Sequence, residues 1–357
     1  MWIRFAGAGA VALASLALVA LVIGHLLSSR GGALTPLILV AGAVCLLFAS
    51  RACAQVQSPN GSEPKALTGS WEQVTEEAAF SPRDTAEDVV FGGKMWISNG
   101  YYHGGVLTRD LWHSTDGVTW TRVSEATPYD GYSEMVAYQG KMWAVKGSVW
   151  QSDDGLTWTR LLEETPFGAR GYGELVVFKD RMWQLGSGND VWHSSDGVNW
   201  TAATTTAPFG GRSASAVVVY KNKLWLMGGR ITEANDPPEK GYPEYTTLND
   251  VWCSEDGATW TRVLEHAPWV TRMWFISEVY AGKMWIVGGY SNADAKNLGD
   301  VWYSEDGVTW HEFVSDPVFL PRHEPTLYVY DGSLWVVAGN TWPVVNDAWR
   351  LTLPVSE

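Results

Sequence analysis

The sequence predicts an all-β protein, a β-propeller of six blades, and three observations predict it. A Lys-Met-Trp element or a close variant recurs at Trp96, Trp143, Trp183, Trp225, Trp285 and Trp335. Each of these has an aromatic five residues earlier: Phe91, Tyr138, Phe178, Tyr220, Tyr280 and Tyr330. A second element, Asp-Val-Trp-x-Ser-x-Asp-Gly-x-Thr-Trp or a close variant, alternates with the first. It sets tryptophans eight apart at Trp112/Trp120, Trp150/Trp158, Trp192/Trp200, Trp252/Trp260 and Trp302/Trp310. The third observation is a pair of orphans: Trp349 is a first member with no partner after it, and Trp71 a second member with nothing before it. Units of 38–60 residues between equivalent tryptophans suit propeller blades.

In chain order, residues 1–54 stand apart. They hold no Asp or Glu and only three Arg (Arg4, Arg30, Arg51), with apolar stretches over roughly Phe5–Leu27 and Leu34–Ser50. The first stretch is long enough to span a bilayer. The second ends at Ala52-Cys53-Ala54, an A-x-A pattern of the kind a signal peptidase cuts. Residues 1–54 are therefore expected to be a signal peptide or a membrane anchor. Lipidation of Cys53 is a third route, which Arg51 fits badly. Gln55–Thr68, with Pro59, Asn60, Gly61 and Pro64, reads as a flexible linker. One Arg at each loop position leaves the positive-inside rule undecided. The cleavage pattern and the linker point to an exported domain, periplasmic or extracellular, or to one tethered by residues 1–50 and facing outward.

Residues 69–354 are expected to be the propeller. Strand a of each blade is the apolar run ending in the aromatic, such as Ala216–Tyr220, and a tight Gly, Lys, Asp or Asn turn follows. Strand b carries the Met-Trp, strand c the Asp-Val-Trp and strand d the Thr-Trp. Asp-Gly turns such as Asp116-Gly117 suit the c–d hairpin. Runs of Val, Trp, Tyr and Thr bounded by such turns are strand signals, and helical periodicity is absent after Thr68. The last blade has its a, b and c strands near Leu327–Tyr330, Leu334–Ala338 and Asp347–Thr352. The Trp71 strand is expected to supply its strand d, closing the ring and removing open sheet edges.

Composition narrows the function. The chain has 22 Trp and a net charge of −14, and without the leader arginines 22 basic residues face 39 acidic ones, a net of −17. That balance excludes a nucleic-acid binder driven by counterion release, and the aromatic content excludes a disordered chain. Three cysteines are too few for a disulfide framework.

The Gly-Gly after strand b (Gly228-Gly229, Gly288-Gly289), the strand-c Trp and the period of roughly 50 residues resemble kelch repeats of the galactose-oxidase-like propellers. The resemblance covers about Gly69–Leu353. The doublet varies elsewhere, as Lys146-Gly147, Gly186-Ser187 and Ala338-Gly339. The Ser-x-Asp-Gly-x-Thr-Trp hairpin is similar to the Asp-box of sialidase propellers, one residue short of its usual form. Cys253 is the only Cys beyond the leader, a packing or surface residue, so the resemblance does not extend to a Tyr–Cys copper-radical site. Exported six-bladed kelch proteins include ones that interconvert sialic-acid anomers, so an enzyme on an acidic sugar is one function the resemblance implies.

Antiparallel connectivity puts the d–a and b–c loops at one end of every blade. From the Trp of b to the Trp of c the separations are 16, 7, 9, 27, 17 and 14 residues, so this end is expected to be tall on one side and low beside blades 2 and 3. Its candidate ligand residues include Tyr101 in blade 1, Tyr242 in blade 4 and Trp342 in blade 6. The d–a loops add an Arg eight residues before the strand-a aromatic: Arg83, Arg170, Arg212, Arg272 and Arg322, with Asp130 at that count in blade 2. Two residues after the Arg come Thr85, Tyr132, Tyr172, Ala214, Trp274 and Glu324, and Glu87, Glu134 and Glu174 stand four after it. Inner strands converge on the propeller axis, so these residues are expected to line the channel mouth. The arginines read either as braces within each blade or as an anion site. The three Glu could do acid–base work.

No Ser-His-Asp order, phosphate loop or Cys/His zinc spacing is visible, and no metal or cofactor is implied. The Asp-Gly turn carboxylates are explained by turn formation. Eighteen of the 22 tryptophans fall on strands b, c and d as blade packing, which leaves Trp2 in the leader and Trp269, Trp274 and Trp342 on the expected functional face. The reading is a monomeric binding propeller for a protein or glycan. The alternative is a carbohydrate-active enzyme, a mutarotase or glycosidase acting on an acidic sugar.

Overall fold

The structure is a computed structural model, and it describes residues 67–102, 106–232 and 245–354. The expected leader and nearly all of the expected linker lie outside the described residues. Regular structure among the described residues is strand throughout, in six four-stranded antiparallel sheets and one two-stranded hairpin.

Each sheet is one expected blade. Blade 1 runs Glu87–Phe91, Lys94–Tyr102, Val106–Ser114 and Thr121–Ser124 as strands a to d. Blade 2 runs Glu134–Tyr138, Lys141–Val145, Val149–Ser152 and Trp158–Leu162. Blade 3 runs Glu174–Val177, Met182–Leu185, Val191–Ser194 and Thr201–Thr204. Blade 4 runs Ala216–Tyr220, Lys223–Thr232, Tyr245–Ser254 and Thr261–Leu264. Blade 5 runs Ile276–Tyr280, Lys283–Val287, Val301–Ser304 and Trp310–Glu312, with the hairpin Tyr290–Ser291/Lys296–Asn297 between b and c. Blade 6 takes Thr326–Tyr330, Ser333–Asn340 and Val344–Leu351 from the end of the chain. Its strand d is Trp71–Thr75, paired antiparallel with strand c at Trp71↔Leu351, so the ring closes as the orphan tryptophans require.

The repeated tryptophans hold fixed hydrogen bonds as well as filling space. Every strand-b indole donates to the carbonyl of the aromatic five residues before it, from Trp96 to Phe91 at 2.9 Å through Trp335 to Tyr330 at 2.9 Å. In blades 1 to 5 the strand-d indoles donate to the glycine of the preceding turn, as Trp120 does to Gly117 at 3.1 Å. That turn is built by its own side chains: Asp116 Oδ1 accepts from the Val118 and Thr119 amides, and Ser114 Oγ from the Gly117 amide. The same pattern holds at Asp154, Asp196, Asp256 and Asp306.

Blades interlock through the same elements. Gly117 has φ +72°, and a Cβ there would lie 2.3 Å from the strand-b Trp335 of the neighbouring blade. The glycines of the other c–d turns sit equally close on the strand-b tryptophan of the blade before them. Strand-a tyrosines latch the next blade from inside: Tyr138, Tyr220, Tyr280 and Tyr330 donate their hydroxyls to the Asp180, Gly282, Gly332 and Gly93 carbonyls. Cys253 is fully buried in the core of blade 4, which places it in the packing.

Candidate functional site

The five d–a arginines are braces. Each guanidinium meets the Asp of its own blade's Asp-Val-Trp or equivalent in a two-pronged contact: Arg83 with Asp110, Arg170 with Asp190, Arg212 with Asp250, Arg272 with Asp300 and Arg322 with Asp347. For Arg272 the two bonds are 2.8 and 2.7 Å. The same Nη1 donates to a strand-b or b–c carbonyl, and Nε donates to a carbonyl of the d–a loop. The Asp also accepts the strand-c indole N–H, as from Trp302 at 2.7 Å. An aromatic three residues before each Arg lies against the guanidinium: Phe80, Phe167, Phe209, Trp269 and Phe319. Burial alone would raise the carboxyls of Asp110, Asp190 and Asp300, but hydrogen bonds and charge from their arginines hold them below the usual range. These guanidiniums have their forks filled, and four of the five side chains are almost wholly buried.

Trp269 therefore belongs to a brace. It is 1% exposed and packs on Phe275 and Trp310, away from the solvent face where the sequence put it. Blade 2 lacks the Arg and also lacks the Asp, with Ser148 accepting the Trp150 indole instead. Its Asp130 is exposed and lies off the channel.

The channel mouth lies just beyond the braces. The six residues two after the Arg position all hold left-handed backbone: Thr85, Tyr132, Tyr172, Ala214, Trp274 and Glu324, with φ from 49° to 62°. Such φ costs a non-glycine residue about 1–3 kcal/mol and persists where the surroundings impose it. Backbone bonds supply part of that imposition by linking successive blades: Ala214 N–H to Tyr172 O, Trp274 N–H to Ala214 O and Glu324 N–H to Trp274 O. All six residues line one cavity of about 120 Å³, together with Glu87, Asp88, Glu134 and Glu174. The expected convergence on the mouth is thus seen for the aromatic and acidic candidates.

Two properties define this cavity. The first is an aromatic run. Tyr132 meets Tyr172 at 5.5 Å and Tyr172 meets Trp274 at 6.3 Å. Trp274 then meets Tyr245, Tyr290 and His323, and His323 meets Trp342 on the rim. Trp342 is 66% exposed. The second property is a surplus of carboxyls, with five in the lining and no Lys or Arg among the lining residues. Burial raises all five: Glu87, Glu134 and Glu174 well above the usual carboxyl range, Asp88 to about 8 and Glu324 to about 8. Neighbouring carboxylates add to the burial effect at Glu87, Glu134 and Glu174. Deeper in the channel, burial raises Glu278 to about 7. Protein surrounds these groups, yet most keep some contact with channel water, so their shielding is partial.

Two cations stand behind the aromatic wall. Lys146 lies 5.2 Å over Tyr132. Arg230, on strand b of blade 4, stacks on Tyr245 at 4.0 Å, Tyr172 at 4.9 Å and Trp274 at 5.1 Å. Neither was a sequence candidate: Lys146 stands where the glycine doublet begins in other blades, and Arg230 follows the doublet, where no residue type repeats. Tyr101 is exposed near the end of strand b of blade 1, its backbone paired with Asp84. Tyr242 lies outside the described residues. Extended b and c strands raise blades 1, 4 and 6, while blades 2 and 3 stay short, which gives the uneven rim expected from the loop lengths.

No protein-family profile matches the chain, and no curated protein matches it. Among solved structures, one titled "Structure of YjhT" superposes with a TM-score of 0.63 at 12% sequence identity, covering 80% of this chain and 98% of that one. At that identity the likeness shows the six-bladed propeller fold alone.

Proposed function

We propose that the protein is a binding propeller whose ligand is a glycan, with one uncharged sugar unit seated in the channel mouth. The observation that carries this reading is the composition of the cavity: four aromatic side chains and five carboxyls around about 120 Å³. Aromatic faces suit the C–H faces of a sugar ring, and carboxyls suit its hydroxyls. Trp274 Nε1 is buried without a partner among the described residues, a donor that a ligand oxygen would satisfy. The low rim at blades 2 and 3 offers an exit for the rest of the chain, and exposed Trp342 a second stacking surface. An acidic sugar fits less well, since the five brace arginines are engaged and the lining is acidic.

A second reading, an enzyme on a sugar, rests on Glu324, a cavity-lining carboxyl that burial raises to about 8 and that could exchange a proton with a sugar near neutrality. A glycan array with neutral and acidic oligosaccharides, run beside an NMR assay of anomer interconversion, separates the two. Binding without turnover supports the first reading and turnover the second. Silence in both points to a protein partner and rejects both.

A further inference from the structure

The junction of blades 6 and 1 differs from the other five at one repeat position. The residue directly after the brace arginine is Gly171, Ser213 or Met273 in blades 3 to 5, but Asp84 in blade 1 and His323 in blade 6. Glu324 follows His323. One ligand-capable atom from each of Asp84, His323 and Glu324 lies within 4.8 Å of the others.

The hydrogen-bond pattern around these three side chains is short of donors. Asn297 Nδ2 donates to the Asn340 carbonyl at 2.7 Å, which turns the Asn297 amide oxygen toward the imidazole. His323 Nδ1 lies 2.7 Å from that oxygen and so must carry the proton. The tautomer is thereby fixed, and Nε2 is left with its lone pair and no partner among the described residues. His323 is only 4% exposed. Glu324 Oε1 is buried with no partner among the described residues. Glu324 Oε2 and Asp84 Oδ1 share the single hydroxyl hydrogen of Thr85, and Asp84 Oδ2 accepts from Asn340 Nδ2 at 2.8 Å. Asn297 and Asn340 thus orient His323 and Asp84 in the way that outer-shell groups orient metal ligands.

We propose that Asp84, His323 and Glu324 bind a divalent first-row transition ion such as Zn²⁺ or Mn²⁺. A mixed imidazole and carboxylate set suits these ions, where an all-oxygen set would suit Ca²⁺ or Mg²⁺. Bond lengths of about 2.0–2.2 Å allow ligand pairs roughly 4 Å apart, so a small side-chain shift completes the geometry. Three protein ligands leave positions open, and Glu324 also lines the mouth cavity, so the ion would face whatever occupies it. The site stands independently of the glycan reading, because ion binding can be measured with no sugar present.

The test uses untagged full-length protein stripped with chelator. Titration calorimetry with Zn²⁺ and with Mn²⁺ is expected to give one saturable site per chain. Affinity should fall at least tenfold in each of Asp84→Asn, His323→Ala and Glu324→Gln, and stay unchanged in the surface control Asp153→Asn. Loading with Co²⁺ supplies a readout on the unmutated protein: one exchange-protected, paramagnetically shifted imidazole N–H, the His323 proton held by Asn297. Absence of saturable binding up to millimolar ion overturns the proposal. So does binding that survives His323→Ala, or Co²⁺ binding with no shifted imidazole resonance. Saturable Ca²⁺ binding indifferent to His323 would show a carboxylate-only site and overturn it too.

Discussion

In five blades the same arginine closes on the same aspartate, while the two residues after it never repeat among those blades: Asp84-Thr85, Gly171-Tyr172, Ser213-Ala214, Met273-Trp274 and His323-Glu324. One position is spent on the architecture of the blade. The next two share its backbone setting, with the second always left-handed, yet they carry chemistry that differs around the ring. A repeat protein therefore separates its two tasks by periodicity. What recurs holds the blade, and what departs from recurrence at a geometrically recurrent place belongs to the mouth.

The largest expected effect tests the recurrent half. Arg272→Ala leaves Asp300 partly buried and uncompensated, and should cost about 3–5 kcal/mol in chemical denaturation. Arg170→Ala should cost less, because that side chain is 26% exposed. If Arg272→Ala unfolds normally but loses glycan binding, the separation of tasks is wrong. Next comes the variable half. Trp274→Ala should lower glycan affinity at least tenfold, or about 1.4 kcal/mol, with a smaller loss of folding stability.

The two regions should also titrate at opposite ends of the pH scale. Asp88 and Glu278 hold their protons in the folded state to about 8 and about 7, while in the unfolded chain they ionise near pH 4. Their contribution is complete below about pH 4 and lost as pH rises through the folded values, so melting temperature should fall between about pH 5 and pH 8. Glu278→Gln should flatten that decline. Channel water makes the slope shallower than the roughly 1.4 kcal/mol per pH unit of a fully shielded group. The brace carboxyls Asp110, Asp190 and Asp300 are held low, so their contribution is present above about pH 4 and lost only as pH falls below it. The smallest effect belongs to Trp342→Ala: stability within about 0.5 kcal/mol, as for an exposed side chain, with a measurable loss of glycan affinity.

The blade plan was legible because strands b, c and d each announce themselves by a recurrent tryptophan and strand a by a Phe or Tyr, and Ala216–Tyr220 spans the strand read from sequence. The brace was half legible. Blade 2 lacks both the Arg and the Asp of the Asp-Val-Trp, and that joint absence was the available sign that the two residues meet. Trp269 could have been sorted the same way, since Phe80, Phe167, Phe209 and Phe319 occupy its place before the other arginines. Arg230 and Lys146 were not legible, for the positions they hold, just after the doublet and at its start, carry a cation in no other blade. His323 was visible as a residue and not as a neighbour of Asp84, because only ring closure joins positions so far apart in the chain.

Ring closure also sets an order of events in the cell. Asp84 emerges from the ribosome well before His323-Glu324, and Trp71 must wait for Leu351 before blade 6 has its outer strand. No unfinished chain can carry the mouth. Whatever ligand this protein takes, it is withheld from every nascent fragment until the two ends of the domain have met.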